Sequence, residues 1–259
     1  MKPRVCVLRT DGTNCDEETS YAFQKAGAAT ELVHVNQLRC RARRFSQYHI
    51  LAIPGGFSYG DDIASGKILA VELVSYLGDE LQEFVARGSI VIGICNGFQV
   101  LVRTGLLPFR TLGAMCATLA ANNSGHFECR WICMRTEASP CVFTNYIEEE
   151  ICLPVAHGEG KFFADAQTLK EIEAGSLVAL RYSEDGTATQ QYPANPNGSL
   201  NSIAGVCDST GRIFGLMPHP ERFVEITQHP NWRRMRDRVS CTPDGLRIFQ
   251  NAVQFAKNL

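Results

Sequence analysis

In the first half of the chain, short runs of apolar residues alternate with amphipathic stretches. Val5 to Leu8, Leu32 to Val35, His49 to Ile53 and Ser89 to Ile94 each read as strands, apolar along almost their whole length. That pattern marks strands buried on both faces rather than on one. Asp16 to Ala26 reads as a helix stopped by Gly27. A longer helical stretch runs from about Ile63 to Ala86, with Gly78 a candidate break and Gly88 the stop, and another helix starts just after Cys95. Strands alternating with helices predict an open, mostly parallel α/β sheet with helices on both faces. From Thr111 to Ile213 the chain reads mostly as strands, with turns at Asp185-Gly186 and Asn195-Pro196-Asn197-Gly198 and one helical interruption near Ala164 to Ala174. These strands are expected to add antiparallel pairs. Arg212 to Met217 is a further buried strand ending at Pro218. The final helix should take Thr242 as N-cap and Pro243 as first residue, burying Leu246, Phe249, Val253 and Ala256 on one face.

Composition narrows the picture. With 259 residues and 45% hydrophobic content, residues 1–259 suffice for a single domain around one core. A formal net charge of -2 argues against nucleic-acid binding. The basic runs Arg41, Arg43, Arg44 and Arg233, Arg234, Arg236, Arg238 read as solvated surface. The 11 cysteines include no CxxC pair, and none stands at zinc-ligand spacing from histidines, so no metal site is expected. The apolar run Val5 to Leu8 is too short for a signal peptide, and no stretch reaches membrane-spanning length. Reduced thiols in a cytoplasmic protein, most of them buried, are the expectation.

Three segments carry chemistry. Gly93-Ile94-Cys95-Asn96-Gly97 joins a buried strand to a helix, the layout of a nucleophile elbow with cysteine as nucleophile and a helix N-terminus behind it to favour the thiolate. The bland alternative is a core cysteine between chance glycines. Met217-Pro218-His219-Pro220-Glu221 follows another buried strand; in an extended segment His219 and Glu221 would face the same side, so Glu221 can hold the imidazole. Alone, this would be a solvated loop. Pro54-Gly55-Gly56-Phe57 ends a third strand, where a backbone N–H together with that of Asn96 could form an oxyanion hole. Alone, it would be a plain turn. Ligands of open parallel sheets bind at the carboxyl ends of strands, and three such ends each deliver one part of a Cys-His-carboxylate hydrolase.

In this order the segments resemble the class I (triad) glutamine amidotransferases. The likeness is closest to a purine-biosynthetic branch, through Arg9 to Asp16, Pro54 to Asp62, Cys95 to Gln99, Pro154 to Phe162 and Asn195 to Ser199. It covers nearly the whole chain except Asn231 to Ser240. It implies a flavodoxin-like fold; Cys95, His219 and Glu221 as catalytic residues; Gly55 or Gly56 and Asn96 as oxyanion donors; and Phe57, Gln99, Gly125 and Phe127 around L-glutamine. It also implies a large synthetase subunit as partner, with or without a third small subunit, and places ATP and magnesium there rather than on this chain. Gly60 to Lys67 only approximates a phosphate loop, because five residues separate Gly60 from Gly66 and Ile68 stands where Ser or Thr is required. His157 and Glu159, read as a glycine-flanked loop, are assigned to the edge of the glutamine site or to a partner interface. His34, His49 and His229 are read as structural. A stand-alone γ-glutamyl hydrolase with the same triad is the competing enzyme reading, and a non-catalytic scaffold is disfavoured by the intact triad.

Overall fold

In the computed structural model, which describes residues 1–147, 150–234 and 242–259, the chain forms strands β1 (Arg4–Arg9), β2 (Ala29–His34), β3 (Ile50–Ile53), β4 (Ile90–Ile94), β5 (Ala117–Ala121), β6 (Glu128–Thr136), β7 (Ile151–His157), β8 (Glu159–Ala164), β9 (Val178–Glu184), β10 (Thr187–Ala188), β11 (Ile203–Cys207) and β12 (Ile213–Leu216). The helices are α1 (Asp16–Lys25), α2 (Val35–Arg39), α3 (Lys67–Ala86), α4 (Asn96–Arg103), α5 (Ala166–Ala174) and α6 (Asp244–Ala256). The main sheet runs β2-β1-β3-β4-β12-β11-β9-β6-β7, with β10 on β9, and β5 pairs with β8 separately. Its β2 to β12 half is parallel; beyond β12 every pairing is antiparallel. All residues of β3, β4 and β12 are buried, as strands covered on both faces require. Helix α1 packs on α6 and α3 on α4, and one hydrophobic cluster runs through sheet and helices.

Several boundaries differ from the sequence reading. Helix α3 passes through Gly78 unbroken; a Cβ there would lie 3.3 Å from Leu112 Cδ2, so the glycine admits a neighbour rather than ending the helix. Pro243, at φ -55° and ψ 140°, is the N-cap of α6 and Asp244 its first residue, one position later than expected. Leu246, Phe249, Val253 and Ala256 are buried as predicted. The reduced-thiol expectation fails at one place: Cys133 and Cys152 form a disulfide. They are register partners on β6 and β7, and antiparallel pairing sets their side chains against each other on one face. Arg236 and Arg238 lie outside the described residues. Among the described residues no helix is long and apolar enough to cross a membrane.

Candidate active site

Strand β4 delivers Cys95 into a backbone conformation that few L-residues adopt, φ 52° and ψ -106°. Such strain costs about 1–3 kcal/mol and persists only where packing over-determines it. The flanking glycines supply that packing, through space rather than positive φ. A Cβ on Gly97 would fall 1.9 Å from Ile53 O, and one on Gly93 would fall 2.5 Å from Gly97 O. The expected elbow is present, and its strain sits on Cys95 itself. The Cys95 thiol points to Ala156 O at 3.7 Å.

Strand β12 delivers His219 beside it. The backbone N–H of His219 donates to Pro154 O at 2.8 Å, fixing this strand end against β7. His219 Nδ1 and Glu221 Oε1 are 2.6 Å apart, and both residues are 1% exposed. The predicted pairing is correct, but its backbone is a 3-10 turn over Pro220–Arg222 rather than an extended segment. Burial disfavours the imidazolium, yet Glu221 and the nearby thiols of Cys95 and Cys15 outweigh it, and the proton affinity of His219 is raised well above normal. Hydrogen-bonding contacts of the ring with the Cys15 and Cys95 thiols act in the same direction.

Gly55 and Gly56 close the third side. Gly56 has φ 128° and forms an isolated bridge with Thr13. Phe57 N–H donates to Gly12 O at 3.0 Å and is already committed. The Asn96 side chain has a role the sequence reading missed. It accepts from Ser58 N–H at 3.3 Å and donates to Asp61 Oδ1 and Gln99 Oε1 at 2.9 and 3.0 Å. The elbow and the glycine turn are thereby tied into one unit.

Cys95, His219 and Gly56 line a cavity of about 460 Å³, whereas Gly55, Asn96 and Glu221 do not, and Phe57, Gln99 and Phe127 also border it. Gly125 does not: it sits in the turn before β6 at φ 68°, its N–H donating to Asn122 O at 3.0 Å. There glycine serves the left-handed backbone, not a ligand. His157 and Glu159 both reach the cavity wall, and they end β7 and begin β8 rather than forming a loop. Two further wall residues escaped the sequence reading, Cys15 and Arg222, whose Nη2 donates to Cys15 Sγ at 3.2 Å. Cys15 closes the loop after β1, so the strand-end rule applied to that strand would have flagged it.

His157 is 3% exposed, and burial, with the nearby His219, lowers its pKa to about 3. An unfolded histidine titrates near ~6.5. Between these values the unfolded chain binds more protons, so His157 contributes stability above the upper value that is lost as pH falls, at most about 1.4 kcal/mol per pH unit. Thermal unfolding measured from neutral to acid pH should show a shallower loss in His157→Gln than in wild type. Equal slopes would assign the acid sensitivity to other groups.

Residues 2–256 match the family model of the CobB/CobQ-like glutamine amidotransferase domain. The chain is 47% identical to phosphoribosylformylglycinamidine synthase subunit PurQ of Dehalococcoides mccartyi, covering 100% of this chain and 99% of that protein. It is 36% identical to the protein of the same name from Thermus thermophilus, over 97% and 98% of the two chains. A chain in the structure of PurLQS from Thermotoga maritima superposes with a TM-score of 0.76 at 33% identity, covering 98% of this chain and 99% of that one.

Proposed function

This chain belongs to the CobB/CobQ-like glutamine amidotransferase family, and on that premise we propose that residues 1–259 act as one glutaminase domain, the glutaminase subunit of phosphoribosylformylglycinamidine synthase in purine biosynthesis. The observation that carries the reading is a cysteine at positive φ on a strand-helix elbow, beside a buried His219–Glu221 pair at 2.6 Å, at the wall of a cavity.

Cys95 attacks the side-chain amide of L-glutamine while His219 takes the thiol proton. Backbone N–H groups of Gly56 (or Gly55) and Asn96 hold the oxyanion of the tetrahedral intermediate. His219 then gives its proton to the departing ammonia, leaving a glutamyl thioester on Cys95 that water hydrolyses. Glu221 keeps the imidazole in one orientation, and Phe57, Gln99 and Phe127 border the bound glutamine. Ammonia passes to the large synthetase subunit, with a third small subunit as an optional member of the assembly. ATP and magnesium act on that partner, and this chain carries no cofactor of its own. The setting is the cytoplasm.

Coupling predicts a slow isolated chain. The Gly55-Gly56 turn is the part whose rearrangement would complete the oxyanion hole, since glycine adopts either backbone state at little steric cost. Adding the synthetase, its nucleotide and its amide substrate should raise steady-state glutaminase turnover by at least ~100-fold, the size of a restored oxyanion donor. A chain already at full speed alone would instead be a stand-alone γ-glutamyl hydrolase.

A further inference from the structure

The turn after β3 carries a charged side chain that the hydrolysis leaves idle. Tyr59, Gly60 and Asp61 stand in succession at φ 55°, 68° and 53°. Left-handed backbone at residues other than glycine persists only where the surroundings hold it. Here Tyr59 N–H donates to Asp11 O at 2.7 Å, and Gly66 N–H, at the N-cap of α3, donates to Asp61 Oδ1 at 3.1 Å. The same carboxylate oxygen accepts from Asn96 Nδ2 at 2.9 Å. We propose that Asp61 is a positioning residue for the oxyanion hole and acts through the Asn96 side chain; the role rests on the glutaminase reading above.

Hydrogen-bond direction carries the role. Two donors, Gly66 N–H and Asn96 Nδ2, converge on Asp61 Oδ1, and a carboxylate oxygen only accepts. Asn96 must therefore turn its NH₂ toward Asp61. That leaves its Oδ1 to accept Ser58 N–H at 3.3 Å, while Nδ2 also donates to Gln99 Oε1 at 3.0 Å. The two oxyanion donors lie on either side of this amide. The Asn96 backbone N–H begins α4, and Gly56 N–H stands two residues before Ser58. Such donors stabilise an oxyanion only when they are held at its position before it forms. An Asn96 amide turned the other way would set NH₂ against Ser58 N–H and release the glycine turn from the elbow.

The carboxylate stands there against its own preference, because burial and the nearby Glu159 raise its proton affinity. Gly66 N–H and Asn96 offset that cost by donating to it. Asp61 also borders the cavity, so direct binding of the ammonium group of glutamine is the rival role. The two roles differ in what they change. A ligand of the substrate holds ground state and transition state alike, and its loss raises KM. A residue that sets the oxyanion donors matters only once the tetrahedral oxygen has formed, and its loss lowers kcat.

The test is steady-state glutamine use by the complex with the synthetase, with Asp61→Gly, Asp61→Asn and Asn96→Ala compared with wild type. Glycine suits φ 53° and so removes the carboxylate without adding backbone strain. Asp61→Gly should lower kcat by about 10- to 100-fold, less than the ~100- to 1000-fold of a donor removed outright, with KM for glutamine nearly unchanged. Asp61→Asn should recover most of that loss, because Gly66 N–H keeps an acceptor oxygen turned inward. Asp61→Gly combined with Asn96→Ala should be little slower than Asn96→Ala alone, as for residues that share one network. Alkylation of Cys95 by iodoacetamide, which needs the thiolate but no oxyanion hole, should keep its wild-type rate in the Asp61 variants, as should synthesis from supplied ammonia. Where thermal unfolding shows Asp61→Gly to be misfolded, Asp61→Ser takes its place. An unchanged kcat, a raised KM with kcat retained, slowed Cys95 alkylation, or a double-variant loss equal to the product of the single losses overturns the proposal. A wild-type complex that never uses glutamine would instead sink the glutaminase reading.

Discussion

Replacing Cys95 with alanine should cut glutamine-dependent synthesis by the assembled complex on the order of 10⁴-fold or more, the scale of removing a nucleophile from a triad. Cys95 alone stands at the end of β4 with α4 behind it, held at φ 52° by contacts that Gly93 and Gly97 make possible. Cys15 reaches the same cavity but sits in the loop before α1, off the elbow, and cannot inherit the task. Synthesis from supplied ammonia should continue at the wild-type rate, because ammonia enters after the step that Cys95 performs. The measurement is a paired assay of the complex with glutamine and with ammonium salt. Glutamine use retained in Cys95→Ala removes the nucleophile assignment. Loss of both activities would point to a damaged assembly rather than a missing thiol.

Removing the imidazole should cost nearly as much. His219→Ala leaves Cys95 without a base and the departing ammonia without an acid, while the buried Glu221 carboxylate loses its partner at 2.6 Å. Glu221→Gln should cost less, because an amide oxygen can still accept from Nδ1 and hold the ring, although it no longer stabilises the imidazolium. The stronger prediction concerns the pair. Groups that act as one unit are non-additive, so Cys95→Ala combined with His219→Ala should be little slower than Cys95→Ala alone. A loss equal to the product of the two single losses would show that the residues act separately. Because His219 is fully buried, each variant should first be compared with wild type by thermal unfolding, so that lost structure is not counted as lost chemistry.

Much of this site is written in local patterns. An apolar run that ends at Pro54-Gly55-Gly56, at Cys95 or at Pro218-His219 announces a buried strand and the loop beyond its carboxyl end. In a parallel sheet all such loops open on one side. The placing of Cys95, His219 and the glycine turn on one side of the sheet was therefore legible before any coordinates, as was the change from parallel to antiparallel strands in the second half. Gly125 misled because glycine has two uses, and a left-handed turn looks the same in sequence as a close approach to a ligand. His157 and Glu159 misled in the other direction: the glycines around them suggested a loop, whereas Gly160 lies flat against the His157 ring, where a Cβ would come within 2.4 Å of Cε1.

By itself, the sequence determined the strand order along the chain, the elbow around Cys95 and the pairing of His219 with Glu221, because each of those depends on residues within a few positions of one another. Only the tertiary structure decided what depends on distance across the fold. The disulfide between Cys133 and Cys152 follows from the register of β6 on β7, not from any cysteine motif. The Asn96 network joins Ser58 and Asp61, on the turn after β3, to Gln99 on α4. That Cys15, Cys95 and His219 border one cavity requires β1, β4 and β12 to end on the same side of the sheet, with Gly55, after β3, leaving space between them. Residues brought to one cavity by three separate strand ends leave no common spacing in the sequence by which to group them.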